Sequence, residues 1–195
     1  MAAAKALPLV LASASPRRVS LLAQAGIVPS RIVAPEIDET PAKQELPRAY
    51  VLRMALLKCK AVAMAEEDAL VLAADTVVAV GRRILPKAVD ADEVERCLKL
   101  LSGRRHQVLT ALALAVRGEK TRTRIVTTRV AFKGLTPSEI ADYLASREGE
   151  GKAGGYAIQG RAEAFVRFIN GSYSNVVGLP LYETVSLLDG CAYRR

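Results

Sequence analysis

The sequence predicts an α/β or α+β domain of 195 residues. Two observations carry this reading. Apolar runs of strand length alternate with helix-periodic segments along the whole chain. About half the residues are apolar (51%) and a quarter are charged (25%), ordinary for a chain that buries its own core. No repeat, low-complexity tract or long linker divides it. A single domain over residues 1–195, folded as two lobes around a cleft, is therefore expected.

The elements follow in order. Residues 7–12 read as a buried strand. Ser15 precedes a helix with Pro16 at its first position, and Gly26 ends it. Residues 31–34 read as a short strand, followed by an acidic loop over 35–41. Pro47 opens a long helix to about residue 66. Residues 69–80 form an apolar run broken only by Asp75-Thr76, a buried strand or a strand pair, with a turn at Gly81. Residues 90–102 are helical, with Gly103 beyond the end. Residues 107–116 and 121–132 read as consecutive strands joined at Gly118. Thr136-Pro137-Ser138-Glu139 is a capping box that opens a helix to about residue 147. The glycine-rich stretch 149–160 reads as a loop, 164–169 as a strand, Gly171-Ser172 as a turn and 176–188 as one terminal helix.

Bulk properties narrow the function. The net charge of +8 suits polyanionic partners. With no tryptophan, few other aromatics and no zinc-finger spacing, a pocket for a small phosphorylated ligand is favoured over nucleic acid. Cys59, Cys97 and Cys191 are odd in number and far apart, which points to a reducing compartment. The apolar stretch within the first eleven residues is too short for a leader, and no run approaches a membrane span. A cytoplasmic protein without a membrane partner is expected.

Several residues are awkward unless they meet a ligand. Arg17 and Arg18 lie in a first helical turn, whose free N–H groups already favour anions. A phosphate between them, with the Ser13 and Ser15 hydroxyls as further donors, resolves the conflict; two solvated arginines are the alternative. On the long helix, Lys58 lies about 140–160° from Arg53 and Lys60, among apolar neighbours. It needs a counter-charge or a cleft, unless it snorkels at the core edge. Asp75 interrupts an apolar run and suits a general base or metal ligand, or else a hairpin turn. Glu36, Asp38 and Glu39 supply hard oxygens for Mg²⁺ or Mn²⁺, or form a solvated acidic loop. Lys87 and the 149–160 loop complete the set, with Gln159 able to donate to or accept from a base edge. The loop lacks the order of a Walker A motif. His106, the one histidine, has no partner pattern, and no G-x-S-x-G elbow accompanies it.

Together these segments resemble the Maf family of nucleotide pyrophosphatases, also described as septum-formation inhibitors. The resemblance spans about residues 9–188. It rests on Ser-Ala-Ser-Pro-Arg-Arg at 13–18, Ala-Asp-Thr at 74–76, Ser-Gly-Arg-Arg-His-Gln-Val at 102–108, Gly-Lys-Ala-Gly-Gly-Tyr-Ala-Ile-Gln-Gly at 151–160, and Asn-Gly-Ser-Tyr-Ser-Asn-Val-Val-Gly-Leu-Pro-Leu at 170–181. It implies an α/β fold with a twisted mixed β-sheet flanked by helices, and two lobes around a central cleft. It also implies metal-dependent cleavage of a nucleoside triphosphate to a monophosphate and pyrophosphate, and is compatible with a homodimer. Asp75 falls on the family's proton acceptor and, with Glu39, on a site for a divalent cation (Mg²⁺ or Mn²⁺). Lys58 and Lys87 fall on catalytic positions, and Ser13, Arg17, Arg18, Thr76 and Gln159 on substrate-binding ones. Arg17, Thr76 and Gln159 match positions tied to substrate choice. The Gly-Lys-Ala-Gly-Gly-Tyr loop resembles the branch acting on dTTP and UTP. Two departures stand out: Pro86-Lys87-Ala88 reverses the usual lysine–proline order, and Gly155 and Ala157 are exchanged relative to a common pattern. The family's other description leaves a nucleotide-binding division regulator with little catalysis as the alternative.

Overall fold

The computed structural model describes residues 7–66, 68–116, 118–191 and 193. The first six residues of the N-terminal stretch weighed above as a leader lie outside them. The architecture is a seven-stranded mixed sheet with helices on both faces. In chain order the elements are β1 (Leu9–Ala12), α1 (Pro16–Gln24), β2 (Arg31–Val33), α2 (Pro47–Ala63), β3 (Leu70–Val80), β4 (Arg83–Leu85), α3 (Ala91–Leu101), β5 (Arg105–Ala115), β6 (Arg122–Phe132), α4 (Pro137–Ser146), a 3₁₀ turn (Arg161–Phe165), β7 (Val166–Asn170), α5 (Tyr173–Val177) and α6 (Leu181–Asp189).

β3 is the spine. The 69–80 run is one unbroken strand, so the hairpin alternative at Asp75-Thr76 does not form. Its side chains alternate between two cores, as a period of two requires. Leu70, Leu72, Ala74 and Val78 face a core closed by helices that include α1, α3, α4 and α6. Val71, Ala73, Val77 and Ala79 face a second core closed by α2. The buried residues of α2 are Pro47, Tyr50, Val51, Met54, Ala55, Lys58, Cys59 and Val62, a spacing of three and four that puts Lys58 in an apolar stripe.

The sheet order is β2-β1-β3-β5-β6-β7, with β4 added beside β3. β1 runs parallel to β2 and β3, whereas β3, β5, β6 and β7 are antiparallel neighbours. One edge of β3 is shared. β1 pairs with it as far as Ala12↔Ala73, and β4 resumes at Leu85↔Val78. Residues 74–77 thus have a strand partner, β5, on one side only. The cleft opens through this gap. On one side of it lie β2, β1 and α1. On the other lies β4, followed by residues 86–88, which hydrogen-bond to the 151–154 loop through Ala88 N to Lys152 O, Gly151 N to Ala88 O and Gly154 N to Pro86 O.

Three expectations are corrected. The terminal helix is two helices, because Gly178 takes φ +129° and Pro180 has no N–H to continue the ladder. The strand placed at 164–169 begins only at Val166, the preceding residues forming the 3₁₀ turn. β4, a three-residue strand that begins at Arg83 after the Gly81 turn, was not anticipated. The capping box holds as read, with Glu139 N donating to Thr136 Oγ1 and Thr136 N to a Glu139 carboxylate oxygen. Among the described residues no helix is long and apolar enough to cross a membrane.

Candidate active site

A cavity of about 440 Å³ occupies the gap. Its lining brings together Ser13, Arg17, Arg18, Glu39, Lys58, Asp75, Thr76, Lys87 and Gln159, residues spread over most of the chain. Strand alternation sends Asp75 and Thr76 to opposite faces of the sheet, yet both reach the cavity because that edge of β3 is open.

On the α2 face, Asp75 is 3% exposed and Lys58 is 6% exposed. Lys58 Nζ lies 2.5 Å from Asp75 Oδ1 and 2.6 Å from Glu39 Oε1. Lys87 Nζ holds the other Glu39 oxygen at 2.5 Å. Lys58 therefore bridges the two carboxylates, and its third hydrogen remains for a further acceptor. Burial disfavours ionised Glu39, but hydrogen bonds and charges from Lys58 and Lys87 outweigh it and hold the carboxyl down at about 2. Tyr50, on α2, donates its hydroxyl to the Glu39 carbonyl at 2.9 Å and so fixes the loop over the cavity. Of the acidic cluster only Glu39 lines the cavity; Asp38 instead accepts the Thr40 N–H in a turn.

On the other face, Arg18 is 8% exposed and works as a clamp. Nε donates to the Gly178 carbonyl (2.9 Å), Nη1 to Ser13 Oγ (3.0 Å) and Nη2 to Thr76 Oγ1 (3.3 Å). It ties the β1–α1 turn to β3 and to the end of α5. Each Nη keeps a second hydrogen for a ligand. Burial lowers its pKa, partly offset by Asp75. Ser13 Oγ also accepts the Ser15 N–H (3.1 Å), so its own hydrogen is unspent. Ser15 stands at the helix start, but its side chain makes no capping hydrogen bond.

Arg17 is half-buried and has no hydrogen-bond or ion-pair partner among the described residues; burial lowers its pKa. An unpaired, partly desolvated cation at a helix N-terminus is the electrostatic signature of an anion site. Lys152, quoted above only as part of the loop, is a further cation on the wall, its pKa lowered by burial and by Arg17. Gln159 is exposed at the rim. His106 lies away from this chemistry. It is buried, bonded through Nε2 to the Tyr156 hydroxyl (2.9 Å), and packed edge-on against Phe132 and Tyr156.

Five cations (Arg17, Arg18, Lys58, Lys87, Lys152) thus line the cavity against two carboxylates (Glu39, Asp75). Sequence reasoning missed Tyr50 and Lys152. Tyr50 gave no signal beyond a place in the apolar stripe, whereas Lys152 could have been found as a cation inside the glycine-rich loop.

Known proteins with this sequence pattern are numerous. The Maf-like protein family matches residues 8–191. The chain is 60% identical to the dTTP/UTP pyrophosphatase of Rhodospirillum rubrum, covering 96% of this chain and 89% of that protein. It is 62% identical to that of Sphingopyxis alaskensis (93% and 95% covered) and 56% identical to that of Caulobacter vibrioides (95% and 96%). Among solved structures, a HAM1 protein from Coxiella burnetii shares the fold with a TM-score of 0.53 at 16% identity, over 94% of this chain and 99% of that one. Matched over nearly its whole length, the chain belongs to the Maf family.

Proposed function

We propose that this cavity binds a pyrimidine nucleoside triphosphate, dTTP or UTP, and hydrolyses it to the monophosphate and pyrophosphate. The observation that carries this is the surplus of three positive charges around a buried carboxylate, in a cavity of the size usual for small-molecule sites. The names of the relatives at 56–62% identity support the substrate class.

Each residue has a part in that reaction. Arg17, the second hydrogens of Arg18, Ser13 Oγ–H, Lys87 and Lys152 hold phosphate oxygens, and the cations oppose the charge that develops on pyrophosphate. Asp75 accepts a proton from the attacking water through Oδ2, since Lys58 occupies Oδ1. Lys58 holds Asp75 in place through Oδ1 and turns its third hydrogen to the phosphate chain. Thr76 and Gln159 read the base edge. Among the described residues no three His, Cys, Asp or Glu side chains gather as a metal site. Glu39 and Asp75 offer hard carboxylate oxygens that would hold a divalent cation of the Mg²⁺ kind. When bound with the nucleotide, Mg²⁺ or Mn²⁺ supplies charge neutralisation at the phosphates.

Incubation of the protein with dTTP, UTP and Mg²⁺, with and without a chelator, tests the proposal. Monophosphate and pyrophosphate in equal amounts, abolished by the chelator, are expected. Binding without turnover would favour a regulator, and diphosphate with inorganic phosphate would place the cut at the wrong bond.

A further inference from the structure

Thr110 stands on β5 directly opposite Thr76 and is fully buried; it does not line the cavity. The two hydroxyl oxygens are 2.9 Å apart. Thr76 Oγ1 also lies 3.3 Å from Arg18 Nη2 and 3.3 Å from the Gly178 carbonyl. Thr110 Oγ1 lies 3.3 Å from the Asn175 carbonyl. The guanidinium can only donate and the carbonyls can only accept, so the two hydroxyl hydrogens have little freedom. In one arrangement Thr110 donates to Asn175 O and Thr76 donates to Thr110. In the other, Thr110 donates to Thr76 and Thr76 donates to Gly178 O. The first serves both carbonyls, because Gly178 O already receives Arg18 Nε at 2.9 Å. In either, the Thr76 hydrogen is spent inside the wall. The first arrangement also leaves one lone pair free on Thr76, a residue of the cavity lining.

We propose that Thr110 is a positioning residue for base selection: by engaging the Thr76 hydroxyl it makes Thr76 an acceptor only, and the cavity thereby selects a base edge that presents an N–H. This rests on the proposed placement of the base edge against Thr76. Uracil and thymine present N3–H, whereas cytosine presents a bare N3 there. Against cytosine the Thr76 oxygen meets lone pair with lone pair, and turning its hydrogen outward strips Thr110 or a carbonyl of a partner. The exposed Gln159 amide can present either its oxygen or its nitrogen, so it does not make this choice alone.

The test is the ratio of kcat/KM for UTP to that for CTP in the native protein, Thr110→Val, Thr110→Ala and Thr110→Ser. Loss of the hydroxyl in the valine and alanine variants is expected to lower the ratio about tenfold, mostly through faster CTP cleavage. Serine, which keeps the hydroxyl, is expected to retain the native ratio. The two hydroxyl-free variants differ in bulk, so one reads the effect where the other fails to fold. An unchanged ratio in a variant that still cleaves UTP overturns the inference, as does an equal fall in the serine variant. Absence of UTP and dTTP cleavage by the native protein would instead remove the assigned reaction, and this inference with it.

Discussion

Asp75 and Lys58 are each costly to bury alone, and their 2.5 Å pairing explains why both persist at the centre of an apolar strand and an apolar helix stripe. Asp75→Asn keeps the shape but removes the proposed proton acceptor. It is expected to bind dTTP as the native protein does while turnover falls about 10²–10⁴-fold; near-native turnover would discard Asp75 as the base. His106 gives a second test at this scale. Burial pushes its pKa down to about 4. Its unfolded pKa is near 6.5, so the unfolded chain binds the extra proton first as pH falls. Its contribution is whole above pH 6.5 and is lost as pH drops toward 4, on the order of 3 kcal/mol in total. Replacing His106 by Gln is expected to flatten the fall in thermal stability across that window, and an unchanged slope would contradict it. Much of this was legible in the sequence, since Lys58 and Asp75 each break an apolar pattern that has a definite period. The Arg18 clamp was not. Its partners Ser13, Thr76 and Gly178 lie up to 160 positions away, and a first-turn arginine reads the same whether it holds a phosphate or a carbonyl.

β3 and the α5–α6 break do most to place these side chains. The apolar run 69–80 made a strand legible, but not its continuity through Asp75-Thr76, because a turn and a strand-end pair use the same residues. Continuity comes from β5, which pairs with β3 from Val71 to Ala79 and passes Asp75 and Thr76 in register. The apolar content of 176–188 concealed the break at Gly178 and Pro180, although both residues were visible. The Gly178 carbonyl that accepts Arg18 Nε belongs to a backbone held at φ +129°. A Cβ at Gly178 would meet nothing closer than Thr76 Oγ1 at 3.7 Å, so the cost of a side chain is conformational and not steric. Gly178→Ala is expected to lower stability by about 1–3 kcal/mol in denaturant titration and to raise KM as the clamp loosens. Unchanged stability and KM would show that the break does not position Arg18.

For the molecule as a whole, the decisive feature is the handover of one edge of β3 from β1 to β4. It leaves residues 74–77 open on that side and lets residues of both sheet faces reach one cavity. The mixed-sheet class followed from the resemblance, but this gap depends on β4, three residues long and exposed at its start. Five cations around two carboxylates make the cavity receptive to a highly charged anion. A divalent cation is better tolerated there with a triphosphate than without one. In the proposed reaction, water held by Asp75 strikes the α-phosphorus. Hydrolysis of dTTP in ¹⁸O-water, followed by mass spectrometry of both products, tests this most directly. One ¹⁸O in thymidine monophosphate and none in pyrophosphate is the predicted result; label in pyrophosphate, or thymidine diphosphate as the product, would contradict it.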